Sequence, residues 1–296
     1  MQQIARTTWL YLVVILFTSL QSSRAQNNEP FIIPRTNTQS TIKQNIASTS
    51  IQITYDRPNK RGRVLFGDLI PYGKIWRTGS EEATKIYFST PVKLAGHPVD
   101  SGTYELFTIP GPAEWEIIMQ APSHQWGSYR YQMANDVLRF KILTTELAEP
   151  VETFTISLDD IGPDHGILHL AWDRVCVPIP IWVDLKMTVV PSLEQLLTSE
   201  GRRPYFQAAM FYYENDLDID RAAELMAMAL DQNPGHLGML YRQALILKRK
   251  GDLAGAIHSA EQSLAAAQKA DEELQREYIR LNTLLLEALR DPAHRQ

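Results

Sequence analysis

The chain has 296 residues, 44% of them hydrophobic and 21% charged, with a formal net charge of −5. This is a globular composition, with length for one or two domains, and it is too acidic for general nucleic-acid binding, which needs a basic footprint. The single cysteine, Cys176, forbids an internal disulfide and lies in the apolar run Val175-Cys-Val-Pro-Ile179, the setting of a buried, inert thiol. At the N-terminus, Arg6 precedes an apolar run over 9–17, extended by Thr18, Ser19 and Leu20, and Ser23-Arg-Ala25 offers small residues before a cut at Gln26. About 12 apolar residues fall short of the roughly 20 that span a bilayer. Residues 1–25 are therefore expected to be a cleaved signal peptide, with no stable membrane span afterwards. The protein would be exported, to the periplasm or beyond the cell.

Residues 26–40 are polar and carry Pro30 and Pro34, so they read as a flexible lead-in. From 41 to 189 the pattern is short strands separated by turn residues. The strands are expected at 50–55, 84–88, 102–109, 115–119, 137–144, 152–158, 166–172 and 175–184, with 110–114 closing a hairpin. Apolar and polar residues alternate, as in antiparallel sheets with one wetter face. The economical fold is an antiparallel sandwich or a jelly-roll-like barrel. Residues 56–83 break the pattern. They are rich in Gly, Pro and Arg, and Phe66, Tyr72 and Trp76 predict an ordered excursion over the sheet.

Beyond Val190 the composition turns helical, and 190–296 reads as a separate all-α region. Ala222 and Ala256 lie 34 residues apart, as do Ala229 and Ser263, which is the tetratricopeptide period. The first unit pairs helices over 205–214 and 220–231, the second over 236–250 and 253–268. A last amphipathic helix over 271–290 would cap the array. Two units are fewer than usually stand alone, so the array should lean on the β-domain or on a helix near 191–200.

Within the β-domain the runs Leu69-Ile-Pro-Tyr-Gly-Lys-Ile-Trp-Arg-Thr-Gly79, Ser101-Gly-Thr-Tyr-Glu-Leu-Phe-Thr-Ile-Pro110, Trp126-Gly127 and Asp136-Val-Leu-Arg139 are long and specific. With Tyr55-Asp-Arg-Pro58 and Lys60-Arg-Gly-Arg63, they make the region from about 35 to 185 resemble the bacterial family catalogued as domain of unknown function 2911. The resemblance implies an exported protein of Gram-negative type, in some members with a helical tail like Tyr205-Phe-Gln-Ala-Ala-Met-Phe-Tyr-Tyr-Glu-Asn215, and it implies no activity. Two departures from the family pattern stand out. Glu81-Glu82 replaces an Asn-Glu pair, and Met119-Gln120 replaces Asn-Lys.

The excursion gathers Arg57, Arg61, Arg63, Tyr72, Lys74, Trp76, Arg77 and Glu82, a locally basic set in an acidic protein. Guanidinium forks bind carboxylates and phosphates, and aromatic faces stack on sugars or cations. A pocket for a small anionic or carbohydrate ligand is one reading. The other is structural, with Arg77 pairing Glu82 and Trp76 anchoring the loop. Trp115, Trp126 and Tyr129 could form a stacking platform or pack internally. In the tail, Tyr212, Tyr213, Tyr241 and Arg242 are candidates to engage a partner protein, or else pack between helices. His165 and His169 share a strand face but lack a third metal ligand. No cofactor-binding motif is present. The expected function is an exported, non-catalytic binding or scaffolding protein; the alternative is an envelope hydrolase acting on glycans or esters.

Overall fold

β-Branched and aromatic residues set at every second position build ten strands among the residues described, 36–122 and 126–291, in the computed structural model. They are β1 (Thr38–Ile46), β2 (Thr49–Arg57), β3 (Ser80–Phe88), β4 (Val92–Leu94), β5 (His97–Val99), β6 (Gly102–Ile109), β7 (Glu114–Gln120), β8 (Asp136–Leu143), β9 (Thr145–Asp159) and β10 (His165–Trp182). One sheet runs β1-β2-β3-β6-β7-β8 and the other β5-β4-β10-β9. Every pairing between these strands is antiparallel. Ile51, Ile53, Ile86, Phe88, Leu106 and Ile117 of the first sheet share one core with Phe154, Ile156, Leu168, Leu170, Val177 and Ile179 of the second. The fold is an antiparallel sandwich. The expected signal peptide and most of the stretch read as lead-in lie outside the described residues.

Three expectations need correction. β1 begins at Thr38, inside the stretch read as lead-in, because its polar side chains belong to an edge strand in which exposed and half-buried positions alternate up to buried Ile46. The strands expected at 166–172 and 175–184 are one strand, β10. Asp173, which reads as a turn residue, instead takes a left-handed φ of 52° in a bulge of the β9–β10 ladder, and its carboxylate is held by Lys60 Nζ at 2.6 Å. The short β4–β5 hairpin was not anticipated; Ala95 and Gly96, at φ 47° and 87°, form its left-handed turn. β9 is longer than expected and lies at a sheet edge, where Pro150 removes no needed ladder bond.

The excursion does more than cross the sheet. It inserts Leu65, Phe66 and Trp76 into the sandwich. The Trp76 ring stacks on Trp172 at 6.0 Å and meets Phe66, Trp115 and Phe154 edge-on. Its indole N–H donates to Gly79 O at 3.0 Å, and its backbone exchanges two hydrogen bonds with Thr108. The outward face of the larger sheet carries a second small cluster, Ala83, Phe107 and Ile118, partly covered by Ile75 and Tyr131.

The tail consists of α1 (Leu185–Thr188), α2 (Val190–Thr198), α3 (Tyr205–Glu214), α4 (Ile219–Gln232), α5 (Leu237–Lys250), α6 (Leu253–Ala267) and α7 (Glu272–Arg290). Asp184, Asp218, Asp252 and Asp271 cap helix N-termini with their carboxylates, and Gly251, at φ 90°, ends α5. Ala222 and Ala256, the pair 34 residues apart, are both fully buried. Small side chains there let neighbouring helices approach. The array rests on α2, whose Leu197 joins the core of α3 and α4. From Asn37 onward sandwich and tail form one unit, and Ser48 Oγ donates to Thr188 O at 3.2 Å across their junction. No helix among the described residues is long and apolar enough to cross a membrane.

Candidate functional site

The residues singled out in the excursion part company in the structure. Arg57 joins the two sheets, donating from Nε to Phe154 O at 3.1 Å and from Nη2 to Thr155 Oγ1 at 2.8 Å. Arg63 closes its own loop onto the carbonyls of Asn59 and Lys60. Tyr72 lies against Gly67, where a Cβ would sit 2.8 Å from the ring. Trp76 and Trp115 belong to the core. Arg57, Arg63, Trp76 and Trp115 are corrected from ligand candidates to structural residues, because their polar atoms or rings are already used by the fold, whereas Tyr72 stays 45% exposed.

Arg77, Glu82 and Trp126 do come together. A left-handed Glu81, at φ 52°, kinks the start of β3, and its carbonyl accepts from Gly127 N at 2.9 Å. Glu82 and Trp126 then pair as an isolated bridge. Gly127, at φ 73°, leaves space that a Cβ would take from the Tyr129 ring, 2.7 Å away. Trp126 and Tyr129 consequently stack in the open, 6.0 Å apart and 16° from parallel, at 58% and 81% exposure. The Arg77 guanidinium lies 5.9 Å from the Trp126 ring centre. Its Nε is buried and finds no hydrogen-bond acceptor among the described residues. Glu82 pairs with Lys85 Nζ at 2.9 Å.

Lys85 opens a polar row that sequence reasoning missed. In register across the sheet stand Lys85, Glu105 and Gln120, the last two fully buried. Gln120 Nε2 donates to Asp136 Oδ1 at 3.1 Å and to Gln132 O at 2.8 Å. Asp136 accepts from Tyr131 Oη at 2.8 Å and is bound by Arg139, which reaches Glu116 at 2.8 Å. Burial and the Asp136 carboxylate push the Tyr131 phenol up to about 12. This network fastens residues 131–136 to the sheet and so braces the turn that carries Trp126 and Tyr129. Its one sequence signal was the departures from the family pattern. Of the departing positions only Gln120 falls in this row; Glu81 lies outside it and Met119 points into the core.

Residues 37–181 match the family described as "Protein of unknown function (DUF2911)". The β-domain belongs to this family. No curated protein and no solved structure matches the chain. The match ends within β10, so the helices lie outside the DUF2911 segment.

In those helices Tyr212 is corrected from partner candidate to core. It is 5% exposed, and its hydroxyl donates to Glu194 Oε1 at 2.7 Å. Tyr213, Tyr241 and Arg242 remain half-exposed. Arg249 sits over the Tyr213 ring at 4.0 Å, and Tyr241 meets Tyr278 edge-on at 5.9 Å. Burial raises the Tyr241 phenol above its ordinary value, while the nearby charges of Arg242 and Arg280 oppose the rise. Within the DUF2911 segment His165 and His169 each bond a neighbouring aspartate, Asp164 at 2.8 Å and Asp159 at 3.1 Å. Among the described residues no three His, Cys, Asp or Glu side chains are grouped to hold a metal ion. Burial pushes the Cys176 thiol up, away from the reactive thiolate.

Proposed function

We propose that this is an exported, non-catalytic binding protein whose DUF2911 domain holds a small anionic or glycan-like ligand across Trp126, Tyr129 and Arg77. The observation that carries the reading is the exposed Trp126–Tyr129 stack beside a guanidinium whose Nε lacks an acceptor. Two near-parallel rings in water expose apolar faces of the kind that sugar rings cover, and a buried, unused donor is a standing cost that a ligand carboxylate or phosphate would relieve. Export rests on the leader over 1–25. The test is calorimetric titration with acidic and neutral oligosaccharides. Trp126→Ala should weaken binding by about tenfold to a hundredfold and Arg77→Ala by about tenfold, with little change in melting temperature. Equal binding with a large loss of stability for Arg77→Ala would make the arginine structural and sink the reading. Turnover of the titrant would point instead to a hydrolase.

A second observation favours a protein partner for the tail, read as a tetratricopeptide-like array. Tyr213, Tyr241 and Tyr278 come from α3, α5 and α7, with Arg242 and Arg280 beside Tyr241. Such arrays present a continuous face to a partner, and this face would take an acidic segment. Affinity capture from envelope extract should yield a partner with residues 26–296. Arg242→Glu with Arg280→Glu should lose it, as should truncation near Val189. Retention by the charge-reversed protein would exclude this face.

A further inference from the structure

Where sandwich meets tail there is an open cleft of about 630 Å³, lined by Lys93, Asp164, Trp182, Leu185, Lys186, Asn215 and Leu217 among others. Its walls come from β4, the end of β10, α1 and the α3–α4 turn. The size suits one small molecule, and junctions between structural units are where such sites are commonly built. None of these residues belongs to the Trp126 platform, so the cleft is a separate site.

Its chemistry is one-sided once the groups already in use are set apart. Asp184, at the cleft wall, caps α1 through bonds from Lys186 N and Met187 N at 2.9 and 3.2 Å. Asp164 holds His165 Nδ1 at 2.8 Å with one oxygen. Asn215 Nδ2 donates to Phe211 O at 2.9 Å, which leaves its amide oxygen. The ammonium groups of Lys93 and Lys186 have no ion-pair or hydrogen-bond partner among the described residues, although two carboxylates line the same cleft. Trp182 is 42% exposed, and it pairs with Lys93 in register across the β10–β4 ladder. Side chains at such paired positions lie next to each other on one face of the sheet. An exposed indole thus stands beside one free ammonium and shares the cleft with a second. Carboxylate and amide oxygens are in place to accept hydroxyl protons.

We propose that this cleft binds an anionic monosaccharide, a sugar acid or a sugar phosphate. The pyranose face lies on Trp182, the anionic group between Lys93 and Lys186, and the ring hydroxyls donate to Asp164 and Asn215. Leu185 and Leu217 form the apolar wall. A bound sugar would touch β4, β10, α1 and the α3–α4 turn at once, and so would tie the tail to the sandwich.

Tryptophan fluorescence tests this, because Trp76, Trp115 and Trp172 are buried. In a Trp126→Phe background, Trp182 is then the exposed indole among the described residues. Glucuronate and glucose 6-phosphate should each be titrated, with glucose as the neutral control. A saturable change with either anion but not with glucose is expected, and whichever anion binds identifies the acidic group recognised. Lys93→Met and Lys186→Met should each raise Kd by about tenfold, and Trp182→Phe should remove the signal, all without a shift in melting temperature. No saturable change with either anion would overturn the proposal. So would equal response to glucose, or an unchanged Kd in the double lysine variant. Because the background lacks Trp126, neither outcome depends on the platform.

Discussion

Replacing Trp76 by alanine should cost the protein about 3–5 kcal/mol, near the upper end of what a single core truncation does. The side chain is 7% exposed and touches four aromatic rings, from Phe66, Trp115, Phe154 and Trp172. Those rings come from the excursion itself, from β7 of one sheet and from β9 and β10 of the other. They cannot all collapse into the space left by an indole, because three are anchored in hydrogen-bonded ladders. The variant also leaves Gly79 O without its indole donor. In a protein of this size the melting temperature should fall by about 10 °C, with near-UV dichroism lost before the far-UV signal. Trp76→Phe should recover part of the stability by restoring ring contacts, but not the hydrogen bond. A second consequence follows from chain order. Arg77 is the next residue, so a loosened excursion releases its guanidinium from Trp126, and affinity for the ligand proposed at that platform should fall with stability. A drop of less than about 3 °C would mean that the excursion lies on the sandwich rather than plugging it.

How far the sequence revealed these roles depended on how local the determining physics is. β6 and α3 occupy the stretches read from periodicity, because alternation and amphipathic spacing act within one element. β10 was split at Asp173 because an aspartate between apolar runs looks like a turn. Its real task, receiving Lys60 from 113 residues away, leaves no local trace. The same limit governed the candidate site. Arg57, Arg63 and Trp76 carry the right chemistry for a ligand, and only their partners on β9, the loop carbonyls and Trp172 show that it is already used. Trp126 and Tyr129 were legible as an aromatic pair because they are close in sequence. Glu105 and Gln120 were not, because the row they form exists only after three strands align in register. Tyr212 and Tyr213 are adjacent in sequence, yet one is core and the other half-exposed. Helix period places them about 100° apart, and Tyr212 is the one that turns into the apolar core of α2, α3 and α4, where its hydroxyl meets Glu194.

That glutamate supports the other large effect. Its Oε1 accepts from Tyr212 Oη at 2.7 Å and from Arg221 Nε at 3.0 Å, while Oε2 accepts from Arg221 Nη2 at 2.7 Å. The paired bonds from Arg221, helped by the Tyr212 hydroxyl, hold the Glu194 carboxyl below its ordinary range against the opposing effect of burial. Burial and Glu194 in turn push the Tyr212 phenol up to about 12. Glu194→Ala leaves the phenol without its acceptor and strips the guanidinium of its bidentate partner, with only Glu224 remaining. Since Glu194 and Arg221 keep about a third of their side-chain surface in water, the expected cost is about 1–2 kcal/mol rather than the 3–5 of a fully buried pair. The pH dependence has a fixed sign. A carboxyl whose folded pKa lies below its unfolded value contributes fully above the unfolded value, about 4.3 for glutamate, and loses that contribution as pH falls through the folded value. The wild-type protein should therefore exceed Glu194→Ala in stability at pH 7, and the gap should close as pH drops below the unfolded value. All six tryptophans lie outside the helices after α1, so ellipticity at the helical minimum is the signal to follow during urea titration; in a Trp182→Phe background, which removes the indole at the junction with the tail, indole emission reports the sandwich separately. A gap that stays constant down to pH 3 would show that Glu194 acts through packing alone. A gap that closes in ellipticity but is absent from indole emission would show that α2 fastens the tail without supporting the sandwich.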